Sequence, residues 1–162
     1  MSAKHAMSET LPQELLATPL WYMKRSWPFY WISQVNGRYV QVLERRLKPV
    51  GLDMPRWRVL MTLYEDGYLS ISKIAESSVL KLNTTTKIVQ RMIQEGLVVT
   101  RQGIEDARVT EVTLTPAGET LRHRALVEAQ KILSSSFINI TPDELTLLNH
   151  LLEKIFVQLE GA

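Results

Sequence analysis

The segment 71–114 constrains the fold more than any other part of the chain, because its apolar spacing changes from helical to strand-like within one short run. Ile71, Ile74 and Ala75 mark a short helix over 71–78, with Ser70 or Ser72 available as its cap. Asn83, a good N-cap, opens a longer helix over 83–95, with Thr85, Ile88, Val89 and Met92 on its buried face. Residues 97–101 and 109–114 then read as strands. Val112 and Leu114 alternate there with Glu111 and Thr113, and a tight loop at 102–107 joins the two. Helix, helix and hairpin in this order predict a winged helix-turn-helix.

The outward face of the second helix carries Asn83, Thr84, Thr86, Lys87, Gln90 and Arg91, with no acid until Glu95. Short hydroxyls and amides allow close approach to base edges in a major groove, and cations neutralise phosphates. A solvated helix face would have a similar composition, but the hairpin tips the balance. Arg101 and Arg108 flank its loop, so a cationic wing follows directly on a polar reading helix. A single arginine at a loop tip can enter a narrow, strongly negative minor groove. Asp106, two residues before Arg108, can orient its guanidinium through a bidentate pair.

Composition narrows the rivals. A chain of 162 residues with 45% hydrophobic content can bury a sizeable core. It has no cysteine, which removes a disulfide framework, a thiolate zinc site and a thiol redox switch. His5, His123 and His150 are too scattered for metal-ligand spacing, so neither a metal nor a cofactor is expected. The net charge of +2 permits nucleic-acid binding without arguing for it. No apolar run is long enough to span a membrane, and the N-terminus lacks a signal-peptide core, so the expected compartment is the cytoplasm. No nucleophile–base pair, phosphate loop or carboxylate pair suggests an enzyme.

Amphipathic helices flank the central unit. Pro12 and Pro19 interrupt an apolar patch of Leu11, Leu15, Leu16, Leu20, Trp21 and Tyr22. Ser26 and Pro28 suit a helix start, and Ile32, Val35, Tyr39, Leu43 and Leu47 form one stripe that ends near Pro49. The aromatic cluster Trp27, Phe29, Tyr30, Trp31 reads either as core or as the wall of a pocket for a flat ligand. After Asp53 and Pro55, Trp57, Leu60, Met61 and Tyr64 give a second stripe. Arg56 and Arg58 lie off it, as surface arginines or as a partner for a ligand carboxylate. Thr115-Pro116 opens a helix to about Phe137, with Leu121, Ala125, Ala129, Ile132 and Leu133 inward. Thr141-Pro142-Asp143-Glu144 is a capping box ahead of the stripe Leu145, Leu148, Leu152, Ile155, Leu159.

Four motifs give this chain a family likeness from about Ile32 onward. They are Gly51-Leu52 with Trp57-x-Val59-Leu60; Ile74-Ala75-Glu76; Gly96-Leu97-Val98; and Asp106-x-Arg108 followed by Val112-Thr113-Leu114-Thr115-x-x-Gly118. The chain resembles the MarR (multiple antibiotic resistance regulator) family of winged-helix transcription factors. The resemblance implies that the first and last helices interlock two subunits, that Arg108 enters the minor groove, and that a small aromatic or phenolic acid acts as effector. Pocket candidates on that view are Trp27, Trp31, Tyr39, Arg58 and His123. The chain departs from the family pattern in its compact wing tip, which lacks a further arginine, and in its aromatic-rich N-terminus.

The expected architecture is therefore mainly α with a small β-hairpin wing. Residues 1–25 form an N-terminal extension, 26–50 and 116–162 a helical dimerisation region, and 51–115 the DNA-binding lobe. The expected function is a homodimeric transcriptional repressor on a pseudo-palindromic operator in double-stranded DNA, relieved by a small-molecule effector. Asn83, Thr84, Thr86, Lys87, Gln90, Arg91, Arg101, Asp106 and Arg108 would form its DNA surface. The alternative is a winged-helix protein–protein interaction module without DNA binding.

Overall fold

A computed structural model describes residues 24–161. The chain divides between Gln41 and Val42 into two compact units. The apolar patch at 11–22 lies outside the described residues.

In the first unit a short turn at Lys24–Ser26 precedes helix α1, Pro28–Leu47, whose last turns belong to the second unit. The Trp31 indole N–H donates to the Arg25 carbonyl at 2.7 Å, which folds the turn back onto the helix. Trp27 packs edge-on against Phe29, and Tyr30 against Trp31. Of the stripe expected on α1, only Leu43 and Leu47 are fully buried, while Val35 and Tyr39 are exposed. The period is helical as predicted, but burial covers only the C-terminal part.

The second unit is organised around α2, Met54–Asp66. Asp53 caps it by accepting from the Arg56 amide, with proline in the first turn. Met54, Trp57, Val59, Leu60 and Leu63 are all buried, so this helix is enclosed on more than one side. Two expectations need correction. Tyr64, placed on the core stripe by its spacing, is exposed, and Arg56, placed on the surface, is buried. Arg56 goes inside because every polar edge of its guanidinium finds an oxygen. It donates to Asp53 at 3.1 Å, Glu95 at 2.7 Å and the Gly51 carbonyl at 2.6 Å.

Around α2 pack α3 (Ile71–Ser77), α4 (Leu82–Gln94) and α5 (Pro116–Ser136). Ser70 caps α3 through the Lys73 amide. The sheet has three antiparallel strands in the order β1-β3-β2: β1 is Leu69–Ser70, β2 Val98–Gln102 and β3 Thr110–Leu114. The hairpin was expected. The third strand was not, because two residues carry no readable alternation. Val98 faces Leu114 and Arg101 faces Glu111 in the ladder.

The base of the hairpin is stitched to α5. The Thr115 amide donates to the Leu97 carbonyl, and its hydroxyl donates to the Gly96 carbonyl at 2.6 Å. The same hydroxyl accepts from the Gly118 amide, which caps α5. Gly118 is required here, since a Cβ would overlap the Leu97 carbonyl oxygen. The Thr115-x-x-Gly118 part of the motif is thus a backbone-approach device.

Helix α6, Pro142–Glu160, opens with a complete Thr141–Glu144 capping box. None of its residues is buried, and Leu148, Leu151, Leu152, Phe156 and Leu159 are between 39% and 60% exposed. A stripe this apolar has no cover within the described single chain.

Candidate nucleic-acid interface

Helix α4 begins one residue earlier than the sequence suggests. Lys81, in extended conformation, is the N-cap and makes no side-chain cap bond; Asn83 lies inside the first turn. Its amide side chain is therefore not consumed as a cap and stays on the exposed face. Thr85, Val89 and Met92 are buried as expected, and Ile88 is half-buried. Thr85 and Thr86 spend their hydroxyl protons on the carbonyls of Lys81 and Leu82. Asn83, Thr84, Lys87, Gln90 and Arg91 are exposed, and Thr86 is half-buried beside them. A shallow cleft is lined by Asn83, Thr84, Lys87, Ile88 and Arg91.

The two cations of this face have different surroundings. Lys87 has no carboxylate partner among the described residues. Arg91 donates to Glu95 at 2.8 Å and lies 3.8 Å from Asp53. Glu95 thus bridges Arg91 to the buried Arg56. Partial burial pushes the Glu95 carboxyl up, but hydrogen bonds from Arg56 and Arg91, with their charges, outweigh it and hold the group below its ordinary range. The Arg91–Glu95 pair has i,i+4 helical spacing, a signal the sequence carries, whereas Asp53 and Arg56 join this cluster from a distant part of the chain that no local spacing reveals.

The wing tip is closed by two backbone bonds, Gly103 N–H to the Val109 carbonyl at 2.8 Å and Val109 N–H to the Asp106 carbonyl at 3.0 Å. A Cβ on Gly103 would come within 2.7 Å of the Asp106 carbonyl oxygen, so glycine is needed for this closure. Asp106 receives the Arg108 amide and both Nε and Nη2 of its guanidinium, each at 3.0 Å. These bonds from Arg108 lower the Asp106 carboxyl below its usual range. The Arg108 side chain is nevertheless 91% exposed: it is oriented without being buried. Arg101 is more tied down, donating to Glu111 at 2.8 Å and stacking 3.3 Å over the Tyr68 ring.

The expected effector residues fall on several elements. Trp27, just before α1, and Trp31 and Tyr39 on α1 are exposed, Arg58 is half-buried on α2, and His123 is exposed on α5. Next to His123, Arg122 is buried, pairs with Glu119 and lies 3.6 Å over the Tyr64 ring. Among the described residues no cluster of three His, Asp or Glu could hold a metal, and no helix is long and apolar enough to cross a membrane.

The sequence model of the MarR family matches residues 52–110, which run from the lead-in to α2 to the first residue of β3. The HTH-type transcriptional repressor IacR of Pseudomonas putida is 44% identical over 139 residues, 86% of this chain and 83% of that protein. The chain belongs to the MarR family. Solved MarR-type structures share the fold. A MarR family transcriptional regulator from Silicibacter pomeroyi superposes with a TM-score of 0.81 at 22% identity, over 90% of this chain and 97% of that one. BpsR of Bordetella bronchiseptica, whose DNA binding is regulated by 6-hydroxynicotinic acid, gives 0.68 at 23% identity, over 78% and 96%. MarR proteins are DNA-binding transcriptional regulators, and this member has the family's winged-helix fold.

Proposed function

We propose that this MarR protein is a homodimeric, sequence-specific repressor that binds a pseudo-palindromic operator. The observation that carries the reading is the pairing of two exposed features: the polar face of α4 and the wing arginine Arg108, held ready by Asp106. Asn83, Thr84, Thr86, Lys87 and Gln90 read or approach base edges. Arg91 and Arg101 serve phosphates, and Arg108 enters the minor groove. The uncovered stripe of α6 is the dimerisation surface, so two α4 helices meet successive major grooves about 34–36 Å apart. Such a regulator works in the cytoplasm.

The effector in this reading is a small aromatic or phenolic carboxylate, the class to which the 6-hydroxynicotinic acid of BpsR belongs. Trp27, Trp31, Tyr39, Arg58 and His123 are its candidate contacts, each to be substituted singly.

The test is selection of bound duplexes from a random library by the full-length protein, followed by titration of affinity against salt. A defined inverted-repeat site with steeply salt-dependent affinity is expected. If no duplex is enriched, the protein–protein module becomes the better reading. Removal of residues 141–162 is expected to abolish the dimer in sedimentation; a well-behaved dimer would relocate the interface.

A further inference from the structure

Val79, in the turn between α3 and α4, has φ of 54°, the left-handed region, and is the one non-glycine residue there among those described. A β-branched side chain is poorly tolerated in that conformation, so the turn carries backbone strain. Packing does not offset it, because Val79 is 82% exposed. The turn itself needs only backbone, since the amides of Val79 and Leu80 donate to the carbonyls of Glu76 and Ala75. Glycine or asparagine would make the same turn without strain.

Leu82, the first residue of α4, is also half-exposed at 51%. One turn later the Thr86 hydroxyl proton is committed to the Leu82 carbonyl, which leaves its methyl group as the apolar part of its surface. An apolar edge therefore adjoins the polar residues Asn83 and Thr84 at the N-terminal end of the reading helix. Helix-turn-helix proteins bring this end of the helix to base edges. The one apolar group displayed in a major groove is the 5-methyl of thymine.

We propose that Val79 and Leu82 form an apolar lip that reads a thymine methyl group in each half-site. The inference rests on the DNA-binding reading above and adds a specificity element to it. Hydrogen bonds from Asn83 and Thr84 distinguish donors from acceptors; the lip distinguishes a thymine from any base that lacks the methyl.

The test uses the full-length protein and the duplex it selects. Each thymine is replaced in turn by deoxyuridine, which removes the methyl and keeps the base pair. At one thymine per half-site the replacement should weaken binding about fourfold, the worth of one desolvated methyl. With Leu82→Ala or Val79→Asn the same replacement should change affinity by less than half of that factor. Val79→Asn should also melt no lower than the parent, since it relieves the strained turn, so lost discrimination could not be ascribed to misfolding. The lip is overturned if a defined site is selected but no thymine methyl matters, or if the methyl effect persists in full in both variants. If no site is selected at all, the DNA-binding reading fails first and the lip fails with it.

Discussion

Arg56 donates to Glu95 at 2.7 Å, so the start of α2 is clamped to the end of the reading helix across 39 positions of sequence. The Arg56 side chain is only 11% exposed, and its other donors go to Asp53 and the Gly51 carbonyl. Arg56→Ala would take one donor each from two carboxylates and a carbonyl, leaving Glu95 its bond from Arg91 and Asp53 its bond from the residue 56 amide. We expect a loss of about 2–3 kcal/mol, below the figure for a fully buried pair because Glu95 is partly solvated. Urea unfolding measures it. Arg56→Lys should recover little, since one ammonium cannot span three acceptors.

The same pair makes stability depend on pH. The folded Glu95 carboxyl is held below its ordinary value of 4.5, as is Glu119 beside Arg122, where the Arg122 hydrogen bond is the main cause. A depressed carboxylate stabilises the fold above its unfolded pKa, and that contribution drains away as pH falls through the folded one. The melting temperature should therefore be level near neutrality and fall below about pH 4.5. Glu95→Gln should lower the neutral plateau and flatten the acid limb. An unchanged acid limb in this variant would show that other carboxylates carry the dependence.

At the wing, Arg108→Ala should leave the unfolding midpoint essentially unchanged, because the Asp106 pair is exposed. Affinity for the selected duplex should fall several-fold or more, with the largest losses at A·T-rich flanks. Asp106→Ala should cost less than Arg108→Ala, since it removes the orientation and keeps the charge. Equal affinity for wild type and Arg108→Ala in a binding titration would exclude the wing from the interface.

Gly118→Ala should be severe for a one-methyl change. The new Cβ would overlap the Leu97 carbonyl oxygen and lie 3.0 Å from its carbon, which is backbone and cannot swing aside. A destabilisation of about 2–3 kcal/mol is expected in thermal or urea unfolding.

The contrast between these residues explains what was legible in the sequence. Period, caps and motifs are local, so the order of helices and hairpin, the Ser70, Thr115 and Thr141 caps and the exposed face of α4 were readable. The position of Arg56 was not, because a charged residue off the apolar stripe goes inside only if distant oxygens meet it, and Glu95 is far away in sequence. Strand β1 escaped because it has two residues and borrows its identity from Val112 and Glu111. Asn83 reads as a cap by residue type, yet Lys81 holds that place because α4 winds back by one residue to Leu82. Val35 and Tyr39 have the right period for a core stripe, but period specifies a face and not what covers it. The lip residues carry no motif, and the strain at Val79 is a backbone angle that no composition reveals.

The stitch between Gly96, Leu97, Thr115 and Gly118 gives the molecule a lever. The hairpin has no free joint at its root, because α5 is bonded to the strand where the wing begins. Helix α5 has 21 residues and is therefore about 30 Å long. A tilt of about 4° about its far end would carry the root of the wing through about 2 Å, more than enough to take an arginine out of hydrogen-bond range. Small forces applied at the distal turns of α5 would thus reach the wing as displacement and not dissipate in a flexible hinge.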